Sequence, residues 1–119
     1  MSKQGIILEL WLDESQRIRK FVLHGHAGYA EYGRDIVCAA ISALSISAVN
    51  GLEYFLPMKP EVEVEDPEGY LCCTLPELEP RTLEQAQWIL KTMVLGMESI
   101  QETYGEEYVR IKRRRWTPC

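Results

Sequence analysis

From Leu83 onward the chain places an apolar residue at every third or fourth position: Leu83, Ala86, Leu90, Met93, Met97, Ile100 and Tyr104. That is the period of one face of an α-helix. A helix with a single apolar stripe must lay it against another layer, so the stripe commits the chain to a layered domain with its core between elements. Thr82, with Gln85 three residues on, forms a capping-box pattern at the start, and Gly105 supplies a stop. On this reading Met93 and Met97 are core.

The rest of the chain supplies the other layer. Ile6, Leu8, Leu10 and Leu12 alternate along Ile6–Asp13, the pattern of a half-buried strand. Asp13 to Gln16 is turn-like, and Arg17–Leu23 resumes strand composition, which predicts a hairpin. A second helix is expected over Asp35–Phe55, with Val37, Ile41, Leu44, Ala48, Leu52 and Phe55 on one stripe. Val62 and Val64 alternate with Glu61, Glu63 and Glu65 in a further strand. Asp66-Pro67-Glu68-Gly69 fits a type I turn into a partner strand over Tyr70–Leu75, and Tyr108–Lys112 is a candidate for a short last strand. The order β-β-α-β-β-α, with or without a last β, predicts a two-layer α+β domain. Its sheet is mainly antiparallel, and both helices pack on one face. Residues 1–112 are expected to form this one domain, with 113–119 as a basic C-terminal tail.

Charge narrows the partners. Eighteen acidic residues stand against thirteen basic ones, and five of the basic ones are Arg110 and Lys112 to Arg115. The body is therefore strongly acidic, which repels nucleic acid and attracts basic partners. The most apolar stretch, Ile36–Val49, reads as too short and too rich in Ala and Ser for a membrane span. No secretory leader pattern opens the chain, so a cytoplasmic protein with reduced thiols is expected.

Chemistry concentrates between His24 and Ala40. Gly25–Arg34 contains three glycines and no period, hence a loop. With Asp35 as N-cap, Cys38 would be the third helical residue, where unpaired N–H groups and the helix dipole favour a thiolate. The same N–H groups could hold the oxyanion of an attacked carbonyl. Blander readings compete. A lone cysteine in an Ala-rich helix is commonly a small buried hydrophobe, either histidine can be a satisfied structural residue, and Asp35 can be only a cap. His24, His26 and Cys38 could supply three zinc ligands, but two histidines and no Cys-x-x-Cys pair make a poor metal set. The loop matches neither phosphate-binding fingerprint. Cys72, Cys73 and Cys119 read as bystanders.

Gly25-His26-Ala27, followed by Tyr32-Gly33-x-Asp35-Ile36-Val37-Cys38-Ala39-Ala40-x-Ser42-Ala43, closely resembles the signature of the bacterial ribosomal-processing cysteine proteases called Prp. The order of elements follows that family over nearly the whole chain. The resemblance implies a homodimeric cysteine endopeptidase that removes a short N-terminal extension from a basic large-subunit ribosomal protein, the one numbered twenty-seven. It implies Cys38 as nucleophile and His26 as general base, without metal or cofactor. Gly25, Asp35 and Ser42 would be supporting positions. Ala27, Gly28, Tyr29, Tyr32, Gly33 and Arg34 would belong to a loop that closes over substrate. His26 is preferred to His24 because it follows the motif glycine. Two other classes stay open: a non-catalytic assembly factor whose basic tail touches rRNA, and a thiol redox sensor using Cys38.

Overall fold

The computed structural model describes residues 5–25, 32–65 and 69–118. Their elements run β1 (Ile6–Leu12), β2 (Ile18–His24), α1 (Tyr32–Phe55), β3 (Glu61–Glu65), β4 (Tyr70–Thr74), α2 (Pro80–Tyr104) and β5 (Val109–Arg115). The strands form one sheet in the order β3-β4-β2-β1-β5, antiparallel except for the parallel pair β1–β5. The expected α+β order is therefore present, with the last strand included.

The alternation in β1 decides which way the sheet faces. Ile6, Leu8 and Leu10 are buried, and they join Phe21 and Leu23 of β2, Cys73 of β4 and Val109 of β5 in one core. Both helices close that core, α1 with Val37, Ile41, Ala48 and Leu52, α2 with Leu83, Ala86, Leu90, Met93 and Met97. Burying a side chain such as Phe21 or Leu52 contributes roughly 1.5–3 kcal/mol each. Gly96 lets the helices approach, since a Cβ there would lie 2.9 Å from Leu44 Cδ1. Ile7, Glu9 and Trp11 point to the other, helix-free face of the sheet.

Gln87 locks α2 to the sheet where the strand register slips. The β1–β2 pairing is irregular between Trp11 and Leu12, and there Ile18 N–H donates to Gln87 Oε1 at 2.6 Å while Gln87 Nε2 donates to Ile18 O at 2.9 Å. The hairpin turn is held by Asp13. Its Oδ1 accepts the N–H groups of Ser15 and Arg17, and its Oδ2 accepts Nε of Arg17 and of Arg19 at 3.0 and 2.9 Å. Partial burial works upward on this carboxyl, but the hydrogen bonds from Arg17, Arg19 and Ser15 outweigh it and hold its pKa at about 2.

Several sequence expectations are corrected. α2 starts at Pro80, with Glu79 as N-cap and no side-chain cap bond. The Thr82–Gln85 box is thus not the start, because proline's fixed φ and missing N–H suit the first turn. Phe55 ends α1 as expected but is 73 % exposed rather than part of the core stripe. The region Ile36–Phe55 is long and apolar enough to cross a membrane by length and composition, so shortness does not exclude a span. Its Val37, Ile41 and Leu52 face is nonetheless occupied by the core.

The basic end, expected as a tail from residue 113, is an exposed strand as far as Arg115. β5 runs to Arg115 and pairs with β1 from Ile6↔Val109 to Leu12↔Arg115, and Trp116 N–H donates to Leu12 O at 2.8 Å. Arg113 meets Glu98 at 3.1 Å, and Arg114 meets Glu9 at 2.6 Å. Alternation in the strand sends Arg113 and Arg114 to partners on opposite sides of the sheet.

Candidate active site

Gly25 is where the chain leaves β2, and only glycine fits there. Its φ is +84°, and a Cβ would lie 2.7 Å from the carbonyl oxygen of Gly5. The motif glycine therefore has a backbone reason, since both the left-handed conformation and the close approach exclude a side chain. The residues that follow, His26, Ala27, Gly28 and Tyr29 to Glu31, lie outside the described residues. Tyr32, Gly33, Arg34 and Asp35 form the first turn of α1.

That start overturns one expectation about Cys38. α1 begins three residues ahead of Asp35, so Asp35 is inside the helix rather than its cap, and Cys38 is the seventh helical residue. At a rise of about 1.5 Å per residue it sits about 9 Å from the first residue. The dipole effect fades within the first turn, and the N–H groups left unpaired belong to the first turn as well. A single glycine costs a helix only about 1 kcal/mol, which explains why Gly33 does not delay the start. Neither the dipole nor the oxyanion argument for Cys38 at a helix terminus holds.

Cys38 is half-buried and lines a groove of about 380 Å³. It is lined by Ser42, Ser45 and Ile46 of α1, by Val64 of β3, by Gly69 with Tyr70 and Leu71 of β4, and by Gly25. Gly25, just after the end of β2, thus shares one groove with Cys38 and Ser42, one turn apart on α1. Sequence reasoning missed Ser45, which is buried and donates its hydroxyl to Ser42 O at 3.2 Å. It also missed the wall from β3 and β4. The spacing of Ser45 from Ser42 and Cys38 on one helix face was a usable signal for the first; the second depends on sheet order.

The other candidate groups are placed elsewhere. His24 pairs with Ile7, which turns its ring to the helix-free face, where Nε2 is 3.7 Å from Glu9 Oε1. The expected shared face of His24 and His26 involves His26, which lies outside the described residues. His24 and Cys38 lie on opposite sides of the sheet and do not converge on a metal. Burial works upward on the Glu9 carboxyl, but the hydrogen bond and charge of Arg114, with His24, outweigh it and hold its pKa below the usual value. Burial, with Cys72 and Glu53 nearby, pushes the Cys73 thiol up to about 12, so Cys73 stays protonated and unreactive at neutral pH. Burial and the adjacent Cys72, Glu63 and Glu65 raise the Tyr70 phenol, keeping it neutral beside the groove.

Known proteins resemble this chain over most of its length. A family profile described as cysteine protease Prp matches residues 6–110. The ribosomal processing cysteine protease Prp of Bacillus subtilis is 33 % identical over 90 residues, 75 % of this chain and 80 % of that protein. Its counterpart from Staphylococcus aureus is 29 % identical over 101 residues, 85 % and 92 % of the two chains. The crystal structure of an essential ribosomal processing protease Prp from S. aureus, in complex with a substrate peptide, superposes with a TM-score of 0.80 at 27 % identity, covering 92 % of this chain and 99 % of that one. SMU.848 from Streptococcus mutans superposes with a TM-score of 0.83 at 29 % identity, covering 95 % and 97 %. A two-layer α+β domain with a cysteine in an open groove, matched in this way, is a cysteine protease. The chain belongs to the Prp family.

Proposed function

We propose that this protein is a cytoplasmic endopeptidase that removes a short N-terminal extension from a basic large-subunit ribosomal protein, the one numbered twenty-seven, with Cys38 as nucleophile and His26 as base. The observation that carries the reading is the position of Cys38: half-buried, in a groove that Gly25 also lines. His26 is bonded to Gly25, which keeps their Cα atoms about 3.8 Å apart. The histidine therefore follows directly on a residue that lines the groove.

The chemistry follows from that pair. Cys38 Sγ attacks the scissile carbonyl carbon while His26 takes the thiol proton, and the proton then goes to the leaving nitrogen as the C–N bond breaks. This leaves the N-terminal fragment as a thioester on Cys38 and releases the shortened protein. A water molecule, deprotonated by His26, attacks the thioester, and the proton returns to sulfur. Donors for the oxyanion come from outside the helix interior, since the N–H of Cys38 lies within α1. Ala27, Gly28 and Tyr29 belong to a loop that closes over the substrate ahead of α1, whose first turn holds Tyr32, Gly33 and Arg34, while Asp35 and Ser42 support the site.

The enzyme works as a homodimer. The exposed apolar residues Tyr54 and Phe55, in edge-to-face contact at 5.0 Å, and Trp88 of α2 supply the kind of surface that dimers bury. Sedimentation of the wild type and of Trp88→Glu tests this, with a dimer expected for the first and a monomer for the second; a monomeric wild type refutes it.

Mass spectrometry tests the activity. The host's ribosomal protein with its native N-terminus is incubated with wild type and with Cys38→Ala. Loss of a defined N-terminal segment with the wild type alone is expected. Equal cleavage by both, or none by a folded wild type on a substrate that carries the extension, refutes the proposal.

A further inference from the structure

β3 is an edge strand that remains open. It pairs with β4 on one side and, among the described residues, has no neighbouring strand on the other, and all five of its residues are exposed. Val62 and Val64 pair with Cys73 and Leu71, which puts them on the helix side of the sheet. They are still 37 % and 59 % exposed, because neither helix roofs β3. Val64 also lines the groove that holds Cys38. Glu61, Glu63 and Glu65 project from the opposite side. The other sheet edge, β5, carries arginines and a lysine instead, so the two edges have opposite charge.

An exposed, alternating strand with a free row of N–H and C=O groups is a template for another extended chain. We propose that the free edge of β3 docks the substrate as an added strand, and that the chain it takes alternates apolar and basic residues. The apolar residues would lie over Val62 and Val64 on the groove side, and the basic ones would face Glu61, Glu63 and Glu65 on the other. The strand hydrogen bonds give affinity without regard to sequence, and the two rows of side chains give selectivity. The carboxylates have a second consequence: they repel a second copy of β3, so the edge stays open without self-pairing. Because Val64 belongs both to β3 and to the lining of the groove with Cys38, a chain held along β3 lies beside that groove. This assignment rests on the peptidase reading above and names the surface that would select its substrate.

The test separates docking from cleavage. A capped peptide of alternating valine and lysine, as long as β3, is titrated by fluorescence anisotropy against full-length Cys38→Ala. Two further versions carry backbone N-methyl groups on the valines or on the lysines. One face of an added strand bonds to β3 and the other does not, so one N-methylated version is expected to lose binding by about 2- to 10-fold for each hydrogen bond removed, while the other matches the parent. The Glu61→Gln, Glu63→Gln, Glu65→Gln triple variant is expected to bind the peptide several-fold more weakly at low salt and to lose most of the salt dependence. Failure of the parent peptide to bind, equal behaviour of the two N-methylated versions, or unchanged affinity in the triple variant overturns the proposal. Wild-type cleavage of the ribosomal substrate is scored separately. Cleavage with an indifferent β3 edge removes the docking assignment alone, and register-selective binding without cleavage removes the peptidase reading alone.

Discussion

Replacing Gly25 with alanine tests the physical reason for the first motif residue. The left-handed conformation at φ +84° costs an L-residue roughly 1–2 kcal/mol. The new methyl would also sit 2.7 Å from Gly5 O, and Gly5 cannot retreat freely, because the next residue's N–H donates to Tyr108 O at 2.8 Å. Relieving that overlap by shifting backbone adds a similar amount, for a total of roughly 2–4 kcal/mol. For a domain of this length each kcal/mol moves the melting temperature by about 4 °C, so a fall of about 8–16 °C is expected in a circular dichroism melt. Gly51→Ala is the control. It lies in α1, and its nearest Cβ contact is an ordinary 3.7 Å to Ile89 Cγ2, so it is expected to stabilise by up to about 1 kcal/mol. Below the melting range, Gly25→Ala is also expected to lose peptidase activity, because the substitution moves the point from which His26 departs. A melting temperature within about 2 °C of wild type would refute the reasoning.

Two further outcomes follow from the scaffold. Gln87→Met keeps the volume but leaves the N–H and C=O of Ile18 without their buried partner, and chemical denaturation should report a loss of about 2–4 kcal/mol; a loss under about 0.5 kcal/mol would mean that another group takes over. Asp13 has a folded pKa of about 2 against 3.8 for the free group, so its contribution is complete above pH 3.8 and is lost as pH falls through about 2. A shift of that size is worth about 2.5 kcal/mol before solvent screening, and about 1 kcal/mol at this partly exposed turn. The stability difference between wild type and Asp13→Asn is expected to shrink across that window, and a constant difference would contradict the account.

Elements with a period were legible in the sequence; their ends and their neighbours were not. The stripes of α1 and α2, the alternation in β1 and the two hairpins rest on local patterns that packing reinforces. The start of α1 escaped because glycines in the loop look like a break, yet one glycine does not stop a helix. The start of α2 was masked by a capping pattern that proline at the first turn makes unnecessary. β5 was underestimated because an arginine run resembles a solvated end, and nothing local reveals that β1 offers a parallel edge and that Glu9 and Glu98 stand opposite. At the site, Gly25, Cys38 and Ser42 were legible as a motif, while the wall formed by Val64 and Tyr70 required the sheet order. His24 could be set aside only once its register with Ile7 was known.

The most direct test of the central claim is mass spectrometry of the enzyme quenched in acid during turnover of its ribosomal substrate. The account predicts an adduct equal in mass to the released N-terminal segment, joined through a thioester, on the peptide containing Cys38, and none in Cys38→Ala. Turnover with the adduct on another residue, or with no adduct under conditions that trap thioesters, would contradict it.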